Sequence, residues 1–243
     1  MLALLNRNVA KRPKNFGAYF KRGQWYSSHG RFDEALKDVT RYSEMRRSDA
    51  VCWLERACLL ERAGEAEEYD RQRREMLRLF SGSPHPLTPG LVGLAFGLGP
   101  CDSTDPDLRA VDAMLEKNAP ILRLSPLDTN DSWRRLAHGM IGYRCGDLAR
   151  AEDLLSGTLN DPEVSGAGRA TAYMFLAMIR HRRGEMDRAR DAIMKGTEIL
   201  EKEIAPIGEH GYRFGWSDWV IAHIAHREAE ALLKSPVQPK KAG

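Results

Sequence analysis

The chain has 243 residues, 42% hydrophobic and 29% charged, a mix that can bury a core and that excludes wholesale disorder. Thirty-seven basic against 34 acidic residues leave a formal net charge of +3, too small for the strong field that would draw nucleic acid or an anionic membrane. No stretch of the sequence approaches the roughly 18 apolar residues of a membrane span, and the apolar start Met1–Leu5 is cut short by Asn6-Arg7-Asn8.

Residues 1–12 carry Leu2, Leu4, Leu5 and Val9 and are predicted to form one amphipathic helix, a partial repeat whose companion is missing. Pro13 then stands at the start of a new unit. Over residues 13–82 two segments align without a gap. Tyr19-x3-Gly23-x2-Tyr26-x3-Gly30 is followed by Ala35, and Trp53-x3-Ala57-x2-Leu60-x3-Gly64 is followed by Tyr69. Tyr19, Gly23 and Tyr26 share one helical face, and the small residue in the middle admits a second helix closely. Gly30 and Gly64 end the first helices, since glycine reaches the left-handed conformation at little cost. They lie 34 residues apart. Ala35 is the small contact on the second helix; Tyr69 in its place predicts a different packing in the next unit.

Residues 83–130 read as one divergent helical repeat, with Leu91 to Leu98 as a short first helix and Leu108 to Leu122 as the second. Residues 131–208 return to the pattern twice. Gly139-x6-Gly146 leads to Ala151, and Ala177-x6-Gly184 leads to Ala189, with the same five-residue offset from glycine to alanine as in Gly30 to Ala35. Within residues 209–234, Trp216 to Leu233 reads as a long amphipathic helix that caps the last repeat. The polar tail, 235–243, is expected to be disordered.

These motifs resemble the tetratricopeptide repeat family over roughly residues 15–80 and 132–200. The resemblance implies an all-α fold, an α-solenoid of antiparallel helix pairs with a C-terminal capping helix. The layout is also loosely similar to repeat tails of larger bacterial signalling proteins, which would make the chain a piece of something longer.

No catalytic constellation emerges, and the chain is not expected to be an enzyme. Gly90, Gly93, Gly97 and Gly99 lack the preceding strand and the following lysine of a phosphate loop, and read as small residues in a packed helix. His223 and His226 lie three apart with Glu228 outside the pair, and His210 is the sole neighbour, too few for zinc. Asp128-Thr129-Asn130-Asp131 lacks the turn glycine of a calcium loop and reads as a helix cap. No cofactor and no metal are expected. Cys52, Cys58, Cys101 and Cys145 form no paired motif and suit free thiols in a reducing compartment, so the expected location is cytoplasmic.

In the family, the first helix of each repeat lines a concave surface that holds a partner. By alignment those positions are Phe20, Gln24 and Ser27, then Leu54, Cys58 and Glu61. In the later half they are Leu136, Met140 and Tyr143, then Met174, Met178 and His181, with Arg144 and Arg182 beside them. Family members that grip C-terminal carboxylates place Lys and Asn where this chain has Phe20 and Gln24, so that mode is not expected. The expected function is a protein-interaction scaffold. Its partner-binding groove would be Met140, Tyr143, Arg144, Met174, Met178, His181 and Arg182, taking a peptide or helix on adaptable methionine and aromatic surface. The alternative is a regulatory or substrate-docking module split from a larger signalling enzyme such as a bacterial protein kinase. A protein or peptide partner is expected, and no nucleic acid, membrane or metal.

Overall fold

The computed structural model describes residues 1–122, 130–203 and 215–235. Expectations for Asp128, Thr129 and His210, and for the tail beyond Ser235, lie outside the described residues. Among those described there are twelve helices and no strand. They are α1 (Leu2–Lys11), α2 (Phe16–Ser28), α3 (Phe32–Met45), α4 (Ala50–Ala63), α5 (Ala66–Phe80) and α6 (Thr88–Gly97). Then come α7 (Pro106–Leu122), α8 (Asn130–Cys145), α9 (Leu148–Leu159), α10 (Gly166–Arg182), α11 (Met186–Glu203) and α12 (Trp216–Lys234).

From α2 to α11 each helix packs on the next, giving five antiparallel pairs. The first helices of neighbouring pairs also touch, α4 on α6, α6 on α8 and α8 on α10. They form an inner layer, with α3, α5, α7, α9 and α11 outside.

The turns follow from the four glycines. Gly30, Gly64, Gly146 and Gly184 have φ of 70°, 77°, 83° and 80°, the left-handed conformation that releases the chain from one helix into the next. Asn15, Asp49, Asp147 and Ser165 cap the starts of α2, α4, α9 and α10, each accepting from a backbone N–H of the first turn. Packing obeys the small residues. A Cβ at Gly23 would stand 3.3 Å from Asp38 Cβ and Val39 Cγ2, so α3 lies directly on α2 there. Ala35, Ala151 and Ala189 are fully buried. Tyr69 departs as its size demands. Its hydroxyl reaches the end of α6, donating to Ala95 O at 2.7 Å and accepting from Gly99 N at 3.0 Å.

The glycines of α6 are a docking stripe for α8. A Cβ at Gly90, Gly93 or Gly97 would meet Arg134, Ala137 or Met140 within 3.2 Å. The α6–α7 pair is thereby pulled tightly into the array in spite of its irregular sequence.

At the other extreme, α1 packs mainly on α2 among the described residues. Leu5 and Val9 are buried while Met1 and Leu4 are exposed, and Arg22 bridges Asn6 to Asp38. By contrast, thirteen residues of α10 are buried, on every side of the helix. Hydrogen exchange is therefore expected to open residues 1–12 far more readily than 173–182; equal protection would contradict this account of α1.

The helix α12 starts at the expected residue but is more than an end cap. It covers α10 and α11, and it also reaches α4 in the second pair. An end cap needs one apolar stripe. Here Val220, Ile221, Ala222, Ile224 and Ala225 are all buried, so more than one face of α12 is enclosed.

Candidate functional site

The candidate site is the inner face made by the first helices, on which α12 packs against α4 and α10. At the start of α12 the Trp216 indole Nε1 donates to Gln24 Oε1 at 2.8 Å, and Gln24 Nε2 donates to Glu55 Oε1 at 2.6 Å. Halfway along, Arg227 approaches Glu61, its Nη2 3.6 Å from Oε1 and 3.3 Å from the Glu61 carbonyl. On the preceding residue, His226 Nε2 lies 3.1 Å from Thr197 Oγ1 on α11.

The strongest tie is Arg144 with Glu228. Arg144 is 4% exposed, and its Nη2 donates to Glu228 Oε2 at 2.6 Å. The same guanidinium donates to Gly97 O at 2.9 Å and Leu98 O at 3.2 Å, satisfying carbonyls at the end of α6 that have no helical partner. It also lies 5.4 Å from the Tyr143 ring and 5.3 Å from that of Phe175. Burial works against its charge, but the Glu228 carboxylate more than restores it and raises the Arg144 pKa. One side chain thus joins α6, α8 and α12.

The expected groove residues are not an open surface. Met140, Tyr143, Met174, Met178 and His181 are buried, as is Arg144; Arg182 alone among them is exposed. The physical reason differs from one to another. Met140 fills the space above Gly97 of α6, and Met174 fills that above Gly196 of α11, so both seal helix contacts. Tyr143 packs edge-on to Phe175 at 5.4 Å, with Arg182 over its ring at 4.0 Å. Leu136 is buried too, as are Ser27, Leu54 and Cys58 in the first half, whereas Phe20 stays exposed. Sequence reasoning missed Gln24 and Glu228 as the groups that hold α12, and Glu55 as the acceptor that fixes Gln24. No local spacing marks them, because their partners are more than 30 residues away. Met178→Ala is therefore expected to destabilise by ~2–5 kcal/mol, the range for emptying a buried methionine site. An unchanged denaturation midpoint would mean that Met178 is a surface residue after all.

Two carboxyls near the start of α12 carry strain. Glu55 is 6% exposed and its Oε2 has no hydrogen-bond partner among the described residues. Burial, only partly offset by Gln24, pushes its pKa up to about 7, with Asp49 and Asp218 adding repulsion. Asp218 is pushed up to about 6, again by burial. Folded Glu55 keeps its proton at a pH where the unfolded chain has lost it, so the native state loses ground as pH rises from about 4.5 to 7. His138 and His223, whose pKa values burial lowers, pull the opposite way. Glu55→Gln isolates the first effect. Its stabilisation is expected to be larger at pH 8 than at pH 5.5 by on the order of 2 kcal/mol. Equal denaturation shifts at both pH values would sink this.

Of the other sequence candidates, His223 and His226 gain no third ligand among the described residues, and His210 lies outside them. Among the described residues no three His, Cys, Asp or Glu side chains are grouped to hold a metal. All four cysteines are free, and burial raises the pKa of each thiol. No described helix is long and apolar enough to cross a membrane.

No protein-family profile matches the sequence, and no curated protein matches it. Solved structures do resemble the fold. The crystal structure of the APC/C hetero-tetramer Cut9-Hcn1 matches with a TM-score of 0.54 and 15% identity, over 96% of this chain and 45% of that one. The fold is a tetratricopeptide-like α-solenoid. The crystal structure of the yeast Tom70 is also similar, with TM-score 0.45 and 14% identity, over 95% of this chain and 43% of that one. This solenoid therefore spans less than half the length of either chain. At these identities the likeness concerns backbone architecture only.

Proposed function

We propose that this solenoid is a protein-interaction scaffold whose concave channel receives a helix or peptide of a partner protein. One observation carries the proposal: the channel is already shaped around a helix, with Gln24, Glu61 and Arg144 bonded to α12 along its length. Laying an amphipathic helix into a groove is a general mode of peptide recognition. In this reading Met140, Tyr143, Met174, Met178 and His181 support the channel wall, and Arg144 and Arg182 supply its donors. The four free thiols agree with work in a reducing compartment.

The test is a footprint. A partner recovered from native cells by cross-linking is added to the purified full chain, and hydrogen exchange is compared with and without it. Protection on α4, α8 and α10, with loosening of α12, is the expected result. A footprint on the outer helices α3, α5, α9 and α11 would overturn the channel as the binding site. If the partner is a protein kinase catalytic domain, the scaffold serves as a docking module for a signalling enzyme.

A further inference from the structure

We propose that the N-terminal end of the array, α1 with the start of α2, is a docking surface for an anionic phospholipid bilayer. The surface is separate from the channel and stands whatever the channel holds.

The formal net charge of +3 conceals an uneven partition. The first 32 residues hold seven of the 37 basic residues and none of the 34 acids, so they carry +7 and the rest of the chain −4. Two of the seven are answered from α3: Arg22 bonds Asp38 at 2.7 Å, and Arg31 pairs with Glu34. Arg7, Lys11, Arg12, Lys14 and Lys21 are exposed and make no ion pair among the described residues. Three acids of the sequence, Asp128, Asp131 and Glu209, have side chains beyond those described, too few to neutralise five cations.

The fold gathers these charges beside apolar surface. Lys11 and Arg12 at the end of α1 and Lys21 on α2 line one cleft of about 390 Å³, with Asn8 and Asn15. Along α1, Leu4, Arg7 and Lys11 follow at intervals of three and four, so they share one exposed face, while Leu5 and Val9 are buried. Six large apolar side chains stand exposed among the described residues, and four of them are at this end: Met1, Leu4, Phe16 and Phe20.

That combination selects the partner. A nucleic-acid backbone rewards the cations but not the aliphatic Met1 and Leu4. A protein surface presents both signs, and complementarity to it would call for acids here as well. A bilayer with acidic lipids is negative across its surface and apolar just beneath, which suits cationic side chains standing beside exposed apolar ones. Lysine and arginine can lay their apolar stems on such an interface and keep their charges among the headgroups. The whole-chain charge argues against a membrane partner because it averages this end with an acidic remainder.

The experiment floats the full chain with phosphatidylcholine vesicles and with vesicles in which about one-third of the lipid is phosphatidylserine, at low and high salt. Binding is expected to the anionic vesicles alone, and to weaken at high salt. Lys11→Gln with Lys21→Gln should weaken it about thirtyfold, the factor for withdrawing two cations from a charged bilayer. Lys195→Gln with Lys202→Gln, on α11, removes the same net charge elsewhere and should leave binding nearly unchanged. Leu4→Gln keeps a good helix former and should weaken binding severalfold at either salt. All five replaced side chains are exposed, so denaturation midpoints should match the wild type. Equal binding to both kinds of vesicle, binding to neither, or equal losses from the two lysine pairs would overturn the proposed surface. Wild-type binding by Leu4→Gln would overturn the bilayer as occupant and leave an acidic macromolecule in its place.

Discussion

Arg144→Ala is expected to destabilise the protein by ~3–5 kcal/mol, the usual penalty for removing one partner of a buried ion pair. The Glu228 carboxylate would lose its cation, and the carbonyls of Gly97 and Leu98 would lose their donor together. Because the side chain joins three helices, the loss should appear as release of α12 as well as a lower denaturation midpoint. Glu228→Gln serves as the comparison. It keeps a hydrogen-bond acceptor for Arg144 but removes the negative charge, and should cost less. Chemical denaturation of both variants, with hydrogen exchange of residues 216–234, checks the two parts separately. If Arg144→Ala unfolds at the wild-type midpoint and α12 stays protected, the ion pair does not hold the channel closed.

Ala151→Trp is expected to cost ~3 kcal/mol or more, at or beyond the upper end for overpacking a filled core. Ala151 is fully buried at the point where α9 crosses α8, and a Cβ at Gly142 would stand 3.3 Å from its own Cβ. An indole has no room unless the two helices separate. Separation would in turn disturb the Arg150 ion pair with Asp112, which ties α9 to α7. A variant that denatures like the wild type would show that the fourth pair is not packed as described.

The fold was legible in the sequence because its determinants are local. Gly30, Gly64, Gly146 and Gly184 lie in the turns and all four are left-handed, and three of them announce themselves by a small residue five positions on, Gly64 with Tyr69 being the exception. The bounds of α12 were legible for the same reason, as a run of helical periodicity. What escaped was the burial of the inner face. Met140 and Met174 were expected on an open groove, yet they point at glycines of other helices, Gly97 and Gly196. Which side of a first helix faces its neighbour changes with about 100° of rotation per residue, and no spacing within the helix fixes it. A usable signal did exist in α12: Val220-Ile221-Ala222 and Ile224-Ala225 are apolar around more than half of the helix, more than a cap with one wet side requires. Glu228 and Gln24 gave no signal, since their importance comes from partners 84 and 192 residues away.

Stacked repeats ordinarily communicate only with their neighbours, so such arrays can melt from the ends inward, unit by unit. The path of α12 removes that freedom. By bonding to Gln24 in the first pair, Glu61 in the second and Arg144 in the fourth, it fastens distant rungs of the ladder to one rail. Loss of an end unit then strips contacts from the middle, and the array is driven towards a single cooperative transition. The same rail slows assembly, because contacts spanning 166 and 192 residues form only after most of the chain has found its place.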